Sequence, residues 1–236
     1  MNKDIINYLI SCFIIICTII IYIILIPYSP NMYDYKLQEK LFYNSNDILF
    51  YKLKILEHNY KIILSEIPPF DITKVLIKRN VDEWHDNIEN NTFNIIKNCS
   101  TWVEGWNKEK HTWYNYPLLV NNIIMCNTDK ICPQTIKLLK ISGIKINVAG
   151  YALLLPNTKL MIHRDSHTGI STNTAAVNLK LSGSDSKLYI KDKYNNFNEY
   201  LHQDGKAVIF NSELEHYADN NGSTNRYILY MDIKID

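Results

Sequence analysis

Glycine is scarce in this chain, seven residues in 236, and those seven do not gather into a loop. No phosphate-cradling glycine run is present, which removes the nucleotide-binding motifs built on one. There is no Gly-x-Ser-x-Gly elbow, so the commonest hydrolase signature is absent as well, and no internal repeat appears. Charge of one sign is also missing. Lys and Arg number 25 against 24 Asp and Glu, for a net charge of +1, and no electrostatic case for nucleic acid exists. Cysteine is sparse and badly spaced for a zinc knuckle. Cys12 and Cys17 lie in an apolar run, leaving the odd set Cys99, Cys126 and Cys132. Cys126 and Cys132 are close enough for a local bridge, which sequence alone does not decide.

The most conspicuous lack is of charge near the start. Ile5 to Pro27 contains no charged residue, and none follows until Asp34. About 20 apolar residues span a bilayer as a helix. No small-residue cleavage site follows, so the run predicts a single uncleaved anchor rather than a signal peptide. Lys3 on one side and Lys36 and Lys40 on the other leave the orientation almost unbiased. Sequons at Asn90, Asn98 and Asn221 favour a lumenal domain only slightly. The expected organisation is a transmembrane anchor over 1–28, a juxtamembrane linker over 29–45, a helical and aromatic-rich part over 46–144, and a β core over 145–236.

After the linker, Ile48, Leu49, Leu53, Leu56, Tyr60, Ile63, Leu64 and Ile67 recur at helical spacing, with Lys52, Lys54, Glu57, Lys61 and Glu66 elsewhere. Asn46-Asp47 offers a cap, and Pro68-Pro69 ends the pattern. The stretch from Thr101 to Pro117 is dense in aromatics and reads as core, with a substrate cleft as the alternative. Pro133 to Leu139 predicts a short helix with proline at its start, ending near Ser142-Gly143. From Lys145 onward, short apolar or alternating runs are separated by turn residues: Lys145–Leu155, Lys159–His163, Thr174–Leu181, Lys187–Lys191, Tyr200–His202, Lys206–Phe210 and Arg226–Ile235. This is the pattern of an all-β sandwich or barrel.

That β region carries the chemistry. His163 and Asp165 lie two apart after the run Tyr151–Pro156, so on a strand both face one point while Arg164 faces away. His216 follows a second strand-like run, Lys206–Phe210. Two histidines and one carboxylate on one face, with positions left open, form the ligand set of a non-haem Fe(II) oxygenase. Ten residues past His216 comes Arg226, whose guanidinium offers a two-pronged donor to a carboxylate. His167 lies on the same side as His163 but about 13 Å along a strand, which makes it a loop or substrate-side residue. His111 and His202 read as surface or packing histidines.

Together these pieces resemble the aspartyl/asparaginyl β-hydroxylase family of Fe(II)- and 2-oxoglutarate-dependent oxygenases. The resemblance runs from about Leu56 to Asp236. It rests on Leu56–Glu66, Trp113–Leu118, Cys132–Thr135, Leu155–Thr158 and, above all, Asp204–Phe210, Glu215-His216 and Asn225–Asp232. It implies a mainly β fold with a double-stranded β-helix (jelly-roll) core and flanking N-terminal helices. It implies Fe(II) on His163, Asp165 and His216, with 2-oxoglutarate and O2 as cosubstrates, and Arg226 on the far carboxylate. Asp165 falls where the animal enzymes have glycine, so this chain looks like a member with a full triad. The family's second cosubstrate arginine and its histidine fall on Ala176 and Asn178, and a contacting serine falls on Ala152. Asn178 then contributes one hydrogen bond, and Lys180, on the same face by period two, is the candidate replacement cation. Asn211 stands where an aspartate usually follows Phe210. The expected activity is hydroxylation of an Asp, Asn or other side chain in a protein or peptide. A lipid acyl chain at the membrane surface is the second substrate class, and a non-catalytic jelly-roll module binding a metal or ligand is the third reading.

Overall fold

The computed structural model describes residues 40–43, 48–75, 100–105, 111–165 and 174–234. The expected anchor, most of the linker, Cys99 and His167 lie outside them. Among the described residues no helix is long and apolar enough to cross a membrane. Glu39–Asp236 form one compact unit.

The predicted helix before Pro68-Pro69 is two helices, α1 (Ile48–His58) and α2 (Tyr60–Ser65). Asn59 interrupts them because its amide nitrogen donates to the Ile55 carbonyl at 2.7 Å, competing with the helical ladder. Leu53, Leu56 and Ile63 are the buried positions. Glu57, expected on the solvent side, is buried as well: its carboxylate accepts from the Ala207 amide at 2.9 Å. A one-turn 3-10 helix, Ile72–Lys74, follows. A short α3 (Thr128–Ile131) precedes α4 (Pro133–Ile141), which starts on proline as expected and reaches Gly143 at φ +63°. Glu66 caps α4 from a distance in sequence, accepting from Gln134 N at 2.9 Å and from Thr135 N at 2.7 Å. Cys126 and Cys132 are free thiols, so the local bridge does not form.

The strands are β1 (Val103–Glu104), β2 (Trp113–Val120), β3 (Ile123–Ile124), β4 (Ile146–Leu154), β5 (Thr158–Lys159), β6 (Thr174–Ser182), β7 (Ser186–Lys191), β8 (Phe197–Leu201), β9 (Ala207–Phe210), β10 (His216–Asn220) and β11 (Arg226–Lys234). They form two antiparallel sheets. The larger runs β1-β2-β4-β11-β6-β9 with β3 beside β2, and the smaller runs β5-β10-β7-β8. From β4 onward the chain crosses repeatedly between the sheets, the double-sheet strand order of a jelly roll. The expected strand-like runs after Lys145 each meet a strand of at least four residues, except Lys159–His163. There, after β5, only His163 pairs again, in an isolated bridge with His216.

Period two divides the larger sheet into two faces. Leu229, Met231 and Ile233 of β11, with Val177 and Leu179 of β6 and Tyr151 and Leu153 of β4, are fully buried on one face. Burying each such aliphatic side chain is worth roughly 1.5–3 kcal/mol, which makes this layer the main reason for the fold. The other face looks into the sandwich. It carries Arg226, Ile228, Tyr230 and Asp232 of β11 opposite Lys180, Asn178 and Ala176 of β6 and Leu154, Ala152 and Gly150 of β4.

Two local devices hold the far edge. Leu41–Tyr43, assigned by sequence to the linker, docks on β9: Tyr43 N donates to Ile209 O at 3.0 Å and Asn211 N to Leu41 O at 3.1 Å. This covers a strand edge that would otherwise expose unpaired backbone groups. The turn before β9 requires glycine at Gly205, where φ is +72° and an added Cβ would meet the Tyr60 ring of α2 at 2.5 Å.

Candidate metal centre

His163 and His216 face each other across their bridge, exchanging backbone bonds of 3.0 and 2.9 Å. Their rings lie 4.4 Å apart between centroids. Asp165 is held by its own amide, which donates to Ser212 O at 3.0 Å. The expected strand pairing of His163 with Asp165 is therefore supplied by the segment around β10, not by a continuous strand through both. One donor atom from each of His163, Asp165 and His216 lies within 4.8 Å of the others. The Asp165 carboxylate is 3.7 Å from Nε2 of each ring. Arg164 points away and pairs with Glu215 at 3.5 Å, and Glu215 also holds Lys191 at 2.8 Å.

The protonation pattern suits a metal. His163 Nδ1 lies 2.7 Å from the Met161 carbonyl and His216 Nδ1 lies 2.8 Å from the Leu214 carbonyl. A carbonyl only accepts, so each Nδ1 carries the proton and each Nε2 presents its lone pair toward Asp165. Second partners of this kind fix ligand tautomer and ring angle. Burial, opposed by Asp165 and reinforced by His163, lowers the basicity of His216, which helps keep the ring neutral. Tyr230 donates to Asp165 Oδ2 at 3.1 Å. Burial first, then Asp165 and Asp232, hold its phenol well above the ordinary tyrosine value, so it stays a donor. The set is two imidazole nitrogens and one carboxylate, graded in side-chain exposure from 5% at His216 to 17% at His163 and 23% at Asp165. That donor set fits a divalent first-row ion such as Fe(II), with one side open.

Around the ligands the packing is aromatic and apolar. Phe210 meets His216 edge-on at 5.3 Å, and Trp113 lies 6.3 Å from His163 between centroids. The aromatic stretch thus divides by face. Tyr114 and Tyr116 are core, whereas Trp113, on the alternate side of β2, packs with Leu154, Leu160 and Ala218 beside the site. Ala176, with Leu188, Ile190, Val208 and Phe210, forms an apolar cluster on the interior face.

Arg226 heads β11 on the same face as Tyr230, four residues and so about 13 Å along the strand. It is 3% exposed. Burial pulls its guanidinium down to about 10, and Asp219 opposes this. Its Nη2 lies 3.1 Å from Nε2 of His202. His202, taken from sequence as a surface or packing histidine, is 3% exposed and belongs to this cluster. Lys180 reaches it from β6: its ammonium lies 3.4 Å from His202 O and 3.2 Å from Asp204 Oδ1. Asn178 is buried and its side-chain oxygen has no partner among the described residues. Asn211 accepts from Glu213 N at 3.0 Å, the turn an aspartate would cap equally well. His111 is exposed and bonds Glu104 at 3.0 Å.

Sequence reasoning missed Tyr230 and His202. Tyr230 had a signal, since it keeps period two with Arg226. His202 had none beyond its place before the Asp204-Gly205 turn.

Three comparisons bear on the chain. The sequence profile described as aspartyl/asparaginyl β-hydroxylase matches residues 73–235, more than half its length. The uncharacterized protein L888 of Acanthamoeba polyphaga mimivirus is 28% identical over 213 residues, covering 88% of this chain and 72% of that protein. Among solved structures, an oxidoreductase of the 2OG-Fe(II) oxygenase family from Burkholderia pseudomallei has a TM-score of 0.44 at 10% identity, over 75% of this chain and 90% of that one. An oxalate decarboxylase from Lactobacillus farciminis, in complex with formate, has a TM-score of 0.35 at 13% identity, over 53% of this chain and 30% of that one. Both scores are too low for either structure to bear on function.

Proposed function

The chain belongs to the aspartyl/asparaginyl β-hydroxylase family and is a 2-oxoglutarate-dependent dioxygenase; from that premise we propose that it hydroxylates an Asp, Asn or other side chain of a protein or peptide, using Fe(II) held by His163, Asp165 and His216. The observation that carries the metal assignment is the convergence of these three donors within 4.8 Å, with both imidazole Nδ1 atoms tied to backbone carbonyls. When bound, the iron supplies O2 activation coupled to 2-oxoglutarate decarboxylation.

The protein's own residues do the rest. His163, His216 and Asp165 would hold the ion through two imidazole nitrogens and one carboxylate, a donor set that would leave positions for small ligands. Tyr230 orients the Asp165 carboxylate. Arg226 takes the far carboxylate of 2-oxoglutarate inside the sandwich, where burial strengthens the ion pair. Asn178 and Lys180 are further cosubstrate-side residues on the same face. The core is the family's double-stranded β-helix. Substrate approaches from the side on which His163 and Asp165 are partly exposed.

The anchor belongs to the same reading. The uncharged run Ile5–Pro27 supports single-pass membrane attachment, and the three sequons slightly favour a lumenal oxygenase domain. That run also favours a second substrate class, a lipid acyl chain at the bilayer surface. The test is succinate release from Fe(II), O2 and 2-oxoglutarate, run with Asp- and Asn-containing peptides and with phospholipid vesicles. Peptide-stimulated turnover supports the proposal. Stimulation by vesicles alone replaces the peptide with a lipid, and no metal-dependent succinate under any condition overturns the active-site assignment.

A further inference from the structure

Arg226 is unusual in what holds it. A buried guanidinium ordinarily rests on a carboxylate. Here the acceptor is His202 Nε2 at 3.1 Å. Arginine only donates, so this ring nitrogen must carry the lone pair and Nδ1 the proton. Asp219 acts on Arg226 through space, while its own Oδ1 accepts from the Lys187 amide at 3.0 Å. Neither Arg226 Nε nor His202 Nδ1 has a partner among the described residues, although both are buried.

We infer that His202 is a positioning residue: a neutral acceptor that fixes the Arg226 guanidinium without neutralising it, and so sets the preference for a cosubstrate with a second carboxylate. This rests on the reading of Arg226 as the far-carboxylate contact.

A carboxylate in the place of His202 would hold Arg226 equally well, but it would cancel the charge and compete with an incoming anion. A neutral ring leaves the full positive charge and the remaining N–H donors for the ligand. His202 is itself fixed on its other sides. Its amide donates to Ser186 O at 3.0 Å, its carbonyl receives the Lys180 ammonium, and its ring stands edge-on to Tyr200 at 5.6 Å. Lys180 is engaged there and with Asp204, so the chain Asp204–Lys180–His202–Arg226 runs from the surface to the guanidinium. Burial first, then the two cations, Arg226 and Lys180, disfavour a proton on His202. A protonated ring would lose its acceptor and repel the group it holds.

The test compares 2-oxoglutarate with 2-oxovalerate, which has the same chain length but a methyl group in place of the far carboxylate. Full-length protein loaded with Fe(II) is titrated with each by calorimetry without oxygen. Wild type should bind 2-oxoglutarate much more tightly. His202→Leu should weaken 2-oxoglutarate at least about tenfold, the value of one charge-assisted hydrogen bond, and leave 2-oxovalerate unchanged. His202→Gln, which keeps an acceptor for Arg226, should recover most of the loss. An equal loss of both ligands in the Leu variant, or no loss of either, overturns the inference, as does a Gln variant no better than Leu. If wild type itself does not discriminate between the two acids, the cosubstrate role of Arg226 falls instead. Should the Leu variant not fold, nitrogen NMR of the wild-type ring decides: a neutral Nδ1–H tautomer at neutral pH is required, and an imidazolium or an Nε2–H tautomer overturns it.

Discussion

The metal end and the cation end of one interior face are built in opposite ways. At the metal end the contacts that orient the ligand rings are short in sequence. His163 and Asp165 are two residues apart, and each histidine is oriented by the carbonyl two residues before it, Met161 for His163 and Leu214 for His216. One bridge between two segments then completes the set. At the cation end the polar side-chain contacts all run between different elements. Arg226 comes from β11, Lys180 from β6, and His202 and Asp204 from the one turn between β8 and β9. The metal end therefore hangs on one bridge between two segments, whereas the cation end depends on three elements, β6, β11 and the turn between β8 and β9, keeping register. It is also the more buried end, so an error there leaves charge without solvent.

The sharpest way to break the comparison is at the ligands. His216→Ala should lower Fe(II) affinity by more than the roughly 100-fold that losing an outer partner costs, read by anaerobic metal titration, and leave the fold intact because its backbone bridge remains. Asp165→Ala should follow in the same direction. Unchanged iron affinity in that variant would make this a two-histidine site.

Arg226→Ala should weaken 2-oxoglutarate by about ten- to a hundredfold while iron binding stays as in wild type. If iron affinity falls equally, the two ends are not separable. Arg226→Lys should also be damaging, since an ammonium lacks the planar fork.

A smaller effect is expected at Tyr230, which belongs to the metal end although it lies on β11. Tyr230→Phe removes one hydrogen bond to Asp165 and should cost about tenfold in iron affinity. Its 2-oxoglutarate affinity, measured at saturating iron, should change less.

The smallest effect concerns pH. His202 titrates below the ordinary histidine value in the folded protein. Between that depressed value and about 6.5 the unfolded chain binds a proton that the folded chain refuses, so stability should fall as pH drops below about 6.5. Arg226 and Lys180 face the ring, with Asp204 on the outer side of Lys180 and Tyr200 at its edge. Urea unfolding of wild type and His202→Gln across this range isolates the residue from His216, whose basicity burial also lowers. Parallel curves for the two proteins would remove His202 from the account.

What sequence determined by itself reflects the range of the physics. The two-residue spacing of His163 and Asp165, the proline start of α4 and the alternating runs after Lys145 are local patterns, and local patterns set side-chain faces and helix ends without knowledge of the rest. The same logic put Lys180 and Asn178 on one face. Tertiary structure decided what those rules cannot reach. The helix before Pro68 breaks at Asn59 because a side-chain bond outcompetes the ladder there, and Glu57 turns inward because Ala207 N, 150 residues away, needs an acceptor. Leu41–Tyr43 leaves the linker because β9 has an open edge. His202 becomes the partner of Arg226 for a similar reason. Nothing in Tyr200–Asp204 marks that histidine, and only the crossing of the chain between two sheets brings its neutral ring to a buried guanidinium that no carboxylate among the described residues bonds.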